Sequence, residues 1–564
     1  MNLNLLSGRR GAAALCILLS SCAAGPLGAL GPPADIDPAY GAYLAARYAD
    51  NTGDMAAAAH YYRIALHSQP DDPALVSEGF MAGLLAGSPG TAALALRLPD
   101  NPLATMMLGN KAAQAGHFAQ AQQYFAALPQ DELIGLIKPL LIAWAQFGQG
   151  DEQAALNGLG DDFNSPAFGA VYVLNAALIA DAAGDTASAT KLYGAVDGSQ
   201  PNLRLAQILA SWDTRQGQNG AAMAELSALV AAHPDLSIAL PALQSQLDKP
   251  VISTPTQGMA EAYLTLAGSL TQPQAVLLRT VFLRFALDLR PNLTAARLLL
   301  ADTQASLGTQ ETGLSTVQVQ NALDTLAPVQ KSDALYAPAA MQQASLLAAA
   351  GRTDDAAALL KGLLAEAPND PGLLSSIADT LREGSDYAAA LPYYNAAIEA
   401  LGPTPPEAAW VLYFDRGICH DQMGNWNLAE PDMLTALKLS PNQPYVLNYL
   451  AYSWAVHGKN LQKAKTMLAQ AVALDPDDGA VIDSLGYVEL KLGNTQKALA
   501  LLTRAVRLSA DDPEVNGHLG DAFWQAGMPL QAAYQWERAL SLHPDPKLGA
   551  ALKAKIDAHF GPQP

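Results

Sequence analysis

Tyr445–Pro476 reads YVLNYLAYSWAVHGKNLQKAKTMLAQAVALDP, and residues 480–510, AVIDSLGYVELKLGNTQKALALLTRAVRLSA, repeat its design. Both lie in a run from Trp410 to Pro544 that holds four copies of one unit. Each copy opens around a small residue (Gly417, Ala451, Gly486, Gly520), at spacings of 34, 35 and 34. A glycine follows (Gly424, Gly458, Gly493, Gly527), then an alanine (Ala429, Ala464, Ala498, Ala532). A large apolar residue comes next (Met433, Leu468, Leu502, Trp536), then another alanine (Ala436, Ala471, Ala505, Ala539). Pro441, Pro476, Ala510 and Pro544 close the copies.

Two antiparallel helices about 8–10 Å apart need small residues where their backbones approach. Glycine ends the first helix by taking the left-handed conformation, and proline at the exit stops the second. The period and the filled slots resemble the tetratricopeptide repeat (TPR). The resemblance implies an all-α superhelical solenoid of antiparallel helix pairs, because no single pair can bury its apolar face alone.

Elsewhere the register is looser. Ala45, Ala58, Tyr62 and Ala65 fill a first unit, and residues 72–98 form a degenerate pair. Gly109, Gly116, Ala121 and Phe125 restore the pattern, which runs on to Pro234. Residues 247–258, LDKPVISTPTQG, carry two prolines among β-branched and polar residues and read as a break. The expectation is therefore an N-terminal arm over 39–246, a linker over 247–258 and a C-terminal arm over 259–545. Residues 309–335 are irregular, and 546–564 supply a capping helix and tail.

The chain of 564 residues is half hydrophobic but only 7% aromatic, as an alanine-rich helical array requires. Its net charge of −20 excludes nucleic acid as an expected partner, since phosphate backbones are bound by basic surfaces. Residues 1–21 read as a signal peptide, with Arg9 and Arg10 before an apolar stretch from Gly11 to Leu19 that is too short to span a bilayer. Leu19-Ser20-Ser21-Cys22 resembles a bacterial lipobox, which implies cleavage before Cys22 and lipidation there. An ordinary signal peptide is the alternative. Cleavage would remove two arginines and no acid, leaving −22. Ala23 after the cysteine, where retention in the inner membrane favours Asp, implies the outer membrane, and residues 22–38 read as a tether.

Cys16 lies in the signal and Cys22 at the anchor, so Cys419 is the one remaining thiol, expected buried in a first helix. The sequence has no metal-ligand spacing, no P-loop and no dinucleotide fingerprint, and no cofactor is expected. Ser188-Ala189-Thr190-Lys191 matches a serine-hydrolase motif, but Ala189 occupies a small-residue slot and both companion motifs are missing. An enzyme is not expected.

By the TPR resemblance, residues 2, 5, 6, 9 and 12 of each first helix face the concave groove. In the decisive run these include Tyr445, Asn448, Tyr449 and Tyr452, then Asp483, Ser484 and Tyr487, then His518, Asp521 and Trp524. Tyr and Trp dominate binding hot spots, although such rings also pack between repeats. Repeats that clamp a partner's terminal carboxylate present Lys, Arg and Asn. Here Asp483 and Asp521 would repel one, which favours a basic or neutral partner segment.

Anchor and solenoid together resemble periplasmic TPR lipoproteins of Gram-negative bacteria. They resemble in particular the adaptors of carboxyl-terminal processing proteases, which deliver peptidoglycan hydrolases to the protease. Residues 445–454 (YVLNYLAYSW), 482–487 (IDSLGY) and 518–524 (HLGDAFW) carry that likeness. It implies an adaptor at the periplasmic face of the outer membrane. The alternatives are a scaffold for an envelope assembly or export machine, such as polysaccharide secretion or outer-membrane protein insertion, and an enzyme with an unrecognised site.

Overall fold

The structure is a computed structural model that describes residues 38–130, 132–165, 168–196, 202–306 and 316–561. The signal peptide and Cys22 lie outside the described residues. Those residues are helical and contain no strand. No described helix is long and apolar enough to cross a membrane. The chain divides into two compact units, up to Leu363 and from Leu364.

In the first unit α1 (Pro38–Asn51) pairs with α2 (Met55–Ser68), and α3 (Pro73–Ala86) with the short α4 (Thr91–Ala95). Four more pairs follow: α5 (Pro102–Gln114) with α6 (Phe118–Ala126), and α7 (Glu132–Gly148) with α8 (Glu152–Gly160); then α9 (Gly169–Ala183) with α10 (Thr186–Tyr193), and α11 (Leu203–Arg215) with α12 (Asn219–Ala232). A 3-10 turn and α13 (Leu240–Gln244) lead to α14 (Pro255–Ser269) and α15 (Val276–Leu289). Then come α16 (Thr294–Ser306), α17 (Thr316–Leu326), α18 (Tyr336–Ala349) and α19 (Thr353–Leu364). The irregular stretch 309–335 thus contains a helix.

Residues 247–258 do not separate two bodies; they lie inside the first unit. Their signals begin a helix. Thr254 caps α14 by accepting from the Gln257 amide, and Pro255 sits at the first helical position, where its missing N–H costs nothing. α14 is apolar around most of its circumference because it is enclosed, burying Met259, Ala262, Tyr263 and Leu266. The α14–α15 hairpin packs across the first helices of the earlier pairs, α3, α5, α7 and α9. Gly258 permits this, since a Cβ there would stand 2.3 Å from the buried Trp144 ring. The Tyr263 hydroxyl donates to Asn110 at 3.1 Å, and Arg204 Nε donates to the fully buried Glu261 at 3.0 Å. Arg284 donates to the Leu85 carbonyl at 2.7 Å. The inner side of this arm is filled by its own chain.

The second unit keeps the simple repeat. Its pairs are α20 (Pro371–Glu383) with α21 (Tyr387–Ala400), α22 (Trp410–Gln422) with α23 (Trp426–Leu439), and α24 (Pro444–Val456) with α25 (Leu461–Leu474). α26 (Gly479–Lys491) with α27 (Thr495–Leu508), and α28 (Pro513–Gln525) with α29 (Pro529–Ser541), complete the set before α30 (Pro546–Phe560). The small slots are close approaches, as expected. A Cβ on Gly486 would lie 2.7 Å from Leu502 Cγ, and one on Gly520 2.4 Å from Trp536 Cδ1. At the turn, Gly493 has φ +78°, a conformation that costs other residues about 1–2 kcal/mol. Asp478 and Asp512 cap α26 and α28 by accepting from two amides each. Cys419 is fully buried. Leu552 and Ile556 of α30 close the far end over Trp536.

Candidate partner-binding groove

The first helices α24, α26 and α28 pack against one another in succession, so they form the tighter, inner wall of the second unit. On that wall three of the expected residues come together. The Tyr452 and Tyr487 rings lie 5.4 Å apart, and Tyr487 lies 4.5 Å from the His518 imidazole. The Lys491 ammonium stands 4.9 Å from the Tyr487 ring centroid, a cation–π contact. The Tyr452 hydroxyl donates to Glu514 at 2.6 Å. Burial and this carboxylate both raise the Tyr452 phenol.

Asp483 lies beneath the rings. Its Oδ2 is 2.7 Å from His518 Nδ1, and its Oδ1 has no hydrogen-bond partner. Burial raises the Asp483 carboxyl, against the pull of His518. Burial also acts to lower the His518 imidazole, but the adjacent Asp483 outweighs it, and the net direction is up. His518 is thereby favoured as a cation facing two tyrosines.

The other expected residues are placed differently. Asp483 is 5% exposed and ion-paired, so it is not a rim charge that steers a partner. Ser484 is buried and donates to the Ala480 carbonyl of its own helix at 3.0 Å. Asp521 is neutralised by Lys555 at 2.7 Å and accepts from Trp536 Nε1 at 3.0 Å. Trp524 stacks on His559 of α30 with centroids 3.8 Å apart, though 38% of it stays exposed. Those two belong to the terminal cap. Tyr449 donates to Asp421 at 2.9 Å and meets the Phe414 ring edge-on, joining α24 to α22. Asn448 is half-buried, with its Oδ1 unpartnered. Tyr445 stands out at 59% exposed, with its ring free.

Two residues of the cluster were absent from the expected set. Glu514 is the second residue of α28, a position that the groove rule itself selects. Lys491 is the thirteenth of α26, one beyond the rule. The serine-hydrolase match falls in the first turn of α10, where the Ser188 amide donates to the capping Asp185 at 3.1 Å. Among the described residues no three His, Cys, Asp or Glu side chains are grouped to hold a metal. The wall thus brings together stacked rings, an imidazole paired with a buried carboxyl group, a second carboxylate and an ammonium.

Comparison with known proteins agrees with the helix pairs. The tetratricopeptide-repeat family model matches residues 341–406 and 484–547. A TPR repeat-containing protein of Pseudomonas aeruginosa is 28% identical over 159 residues, which is 28% of this chain and 26% of that protein. The chain thus matches about a quarter of this relative's length. Among solved structures, the APC/C hetero-tetramer Cut9–Hcn1 aligns over 92% of this chain and 96% of that one, at 14% identity and a TM-score of 0.38. YrrB, a TPR protein with an unusual peptide-binding site, aligns over 35% of this chain and 97% of that one, at 17% identity and a TM-score of 0.28. Within those two matched segments the helix pairs, with their glycine turns and alanine contacts, carry the tetratricopeptide-repeat pattern.

Proposed function

We propose that this protein is a non-enzymatic adaptor that holds a protein partner on the inner wall of its second unit. The observation that carries this is the Tyr452–Tyr487–His518 cluster, partly exposed on an inner wall formed by the first helices α24, α26 and α28. In the first unit the corresponding wall is occupied by the α14–α15 hairpin, which leaves the second as the open one. Glu514 at the edge of the cluster suits a segment that is basic or neutral rather than a terminal carboxylate.

On this reading Cys22 is lipidated and holds the protein at the periplasmic face of the outer membrane. The partners are a carboxyl-terminal processing protease and the peptidoglycan hydrolases it degrades. The lipobox at residues 19–22 and the three segments at 445–454, 482–487 and 518–524 support that assignment. Affinity purification of the full chain from envelope, followed by mass spectrometry, tests it. Recovery of a protease that is lost from a Tyr452→Ala/Tyr487→Ala chain is the expected result. Recovery of export-pore or outer-membrane assembly subunits instead would overturn it.

A further inference from the structure

A solenoid needs a polar outer face at each end, because its terminal repeats have one neighbour instead of two. The C-terminal end meets that need with α30. Among the described residues the N-terminal end does not. On α1, Tyr40, Leu44 and Tyr48 recur at four-residue spacing and are 61%, 50% and 73% exposed. Ala42, Ala46 and Ala49 face the other way, into the core with α2 and α3. The apolar stripe thus occupies the side where a preceding repeat would stack, and α2 adds exposed Tyr61 and Ile64. Unpartnered apolar surface of this kind marks a contact site.

We propose that this face rests on the lipid bilayer surface, as a second membrane contact beside the acyl chains on Cys22. The inference depends on the lipidated-Cys22 reading given above. Three features select lipid as the occupant. First, only 15 residues lie between Cys22 and Pro38, so the start of α1 lies within at most about 55–60 Å of the anchored sulfur whatever path the chain takes. Secondly, tyrosine is enriched at membrane–water interfaces, where an apolar ring and a polar tip both find their medium. Thirdly, the α1–α2 hairpin escapes the acidity of the rest of the chain. Arg47 and Arg63 balance Asp50 and Asp54, and His60 and His67 stand on its surface, in a protein of net charge −20. The acyl chains hold the protein at the membrane through one flexible point of attachment, and a second contact fixes which end of the molecule meets the bilayer.

The test uses the full chain with Leu44→Cys carrying an environment-sensitive fluorophore, since Cys419 is buried and Cys22 is acylated on this reading. The protein is reconstituted into vesicles of phosphatidylethanolamine and phosphatidylglycerol containing brominated phosphatidylcholine. Leu277→Cys, exposed on α15, is the control site. The expected result is co-flotation with vesicles and quenching at position 44 several-fold above that at 277. It should fall to the control level when Tyr40→Ser and Tyr48→Ser are added. Flotation with equal quenching at both sites would overturn the docking and leave the anchor reading intact. Failure to float, with Cys22 taking up the thiol label, would overturn both. Equal quenching with a doubled mass in detergent that the serine changes abolish would assign the face to a second copy instead.

Discussion

Tyr452 on α24 and Glu514 on α28 are joined by a 2.6 Å hydrogen bond that passes over the whole of α26. The bond draws three consecutive repeats together along their inner edge and holds the Tyr452 ring against Tyr487. Removing the hydroxyl while keeping the ring separates these roles. Tyr452→Phe should lower stability by about 1.5–3 kcal/mol, the usual worth of a hydrogen bond to a charged group. It should leave partner affinity within a few-fold of wild type. Urea unfolding and a binding titration on the same preparations read the two effects.

The Asp483–His518 pair makes the second unit sensitive to pH. His518 is favoured as a cation in the fold, so the pairing stabilises fully below its ordinary value of 6.5 and is lost as pH rises through the higher folded value. Burial raises Asp483 as well, and a carboxyl shifted upward also loses stability as pH rises. In Asp483→Asn the imidazole keeps its burial and loses its largest raising partner, while Glu514 and Asp521 still act upward, so its upward shift should shrink. That variant's stability should depend less steeply on pH above 6.5 than the wild type's. Asp415, raised by burial to about 7 beside Arg382, titrates in the same range but is common to both proteins. The difference between their urea midpoints across about pH 5.5 to 8.5 isolates the pair. Parallel curves would show that the pair does not titrate there.

What the sequence made legible follows from what its residues must do locally. Gly486 and Gly520 announced close helix approaches because only a missing Cβ permits them, and the distances to Leu502 and Trp536 show it. The inner position of Tyr452, Tyr487 and His518 followed from the resemblance to the tetratricopeptide repeat, which assigns the sixth and ninth residues of each first helix to the groove. The partners that decide their roles were not legible. Lys555 reaches Asp521 from 34 residues away, and His559 covers Trp524 from α30, which no period within one repeat encodes. At Thr254-Pro255 a helix start has the same composition as a linker. Only the packing of Gly258 on Trp144 distinguishes them.

Gly486→Ala should cost about 1–3 kcal/mol, because the new methyl overlaps Leu502 in a contact with no spare room. Leu502→Ala alone should cost about 2–5 kcal/mol, as truncation of a fully buried leucine does. In the double variant the small side chain at 502 makes space for the methyl at 486. The combined loss should therefore fall short of the sum by about 1 kcal/mol or more, measured as a double-mutant cycle. Additive losses would mean that the backbones move apart instead.

Cys419 is enclosed among α22 and its neighbours, and burial pushes its thiol up to about 12. Reactivity follows the thiolate and access to it, so this thiol should resist a maleimide or disulfide reagent in the native chain. It should react at once in urea. Reaction in the native protein at the rate of a free thiol would place it at the surface and reopen its chemistry.

The inner-wall cluster makes the most direct prediction. Tyr452→Ala/Tyr487→Ala removes both rings while leaving the cap of α30, with Trp524, His559 and Trp536, untouched. If each ring is a hot spot worth about 2 kcal/mol, the pair should weaken partner binding about a thousandfold. Helicity should be retained, because both rings are only half-buried and the alanine slots beneath them are unchanged. Trp524→Ala should behave otherwise. Its ring stacks on His559 and edges Phe560, so truncation should loosen α30 and speed hydrogen exchange over residues 546–560. Its effect on affinity should be much smaller. A Tyr452/Tyr487 variant that stays helical yet binds with wild-type affinity would remove this wall as the site. Equal loss of affinity from Trp524→Ala would extend the site across the terminal repeat.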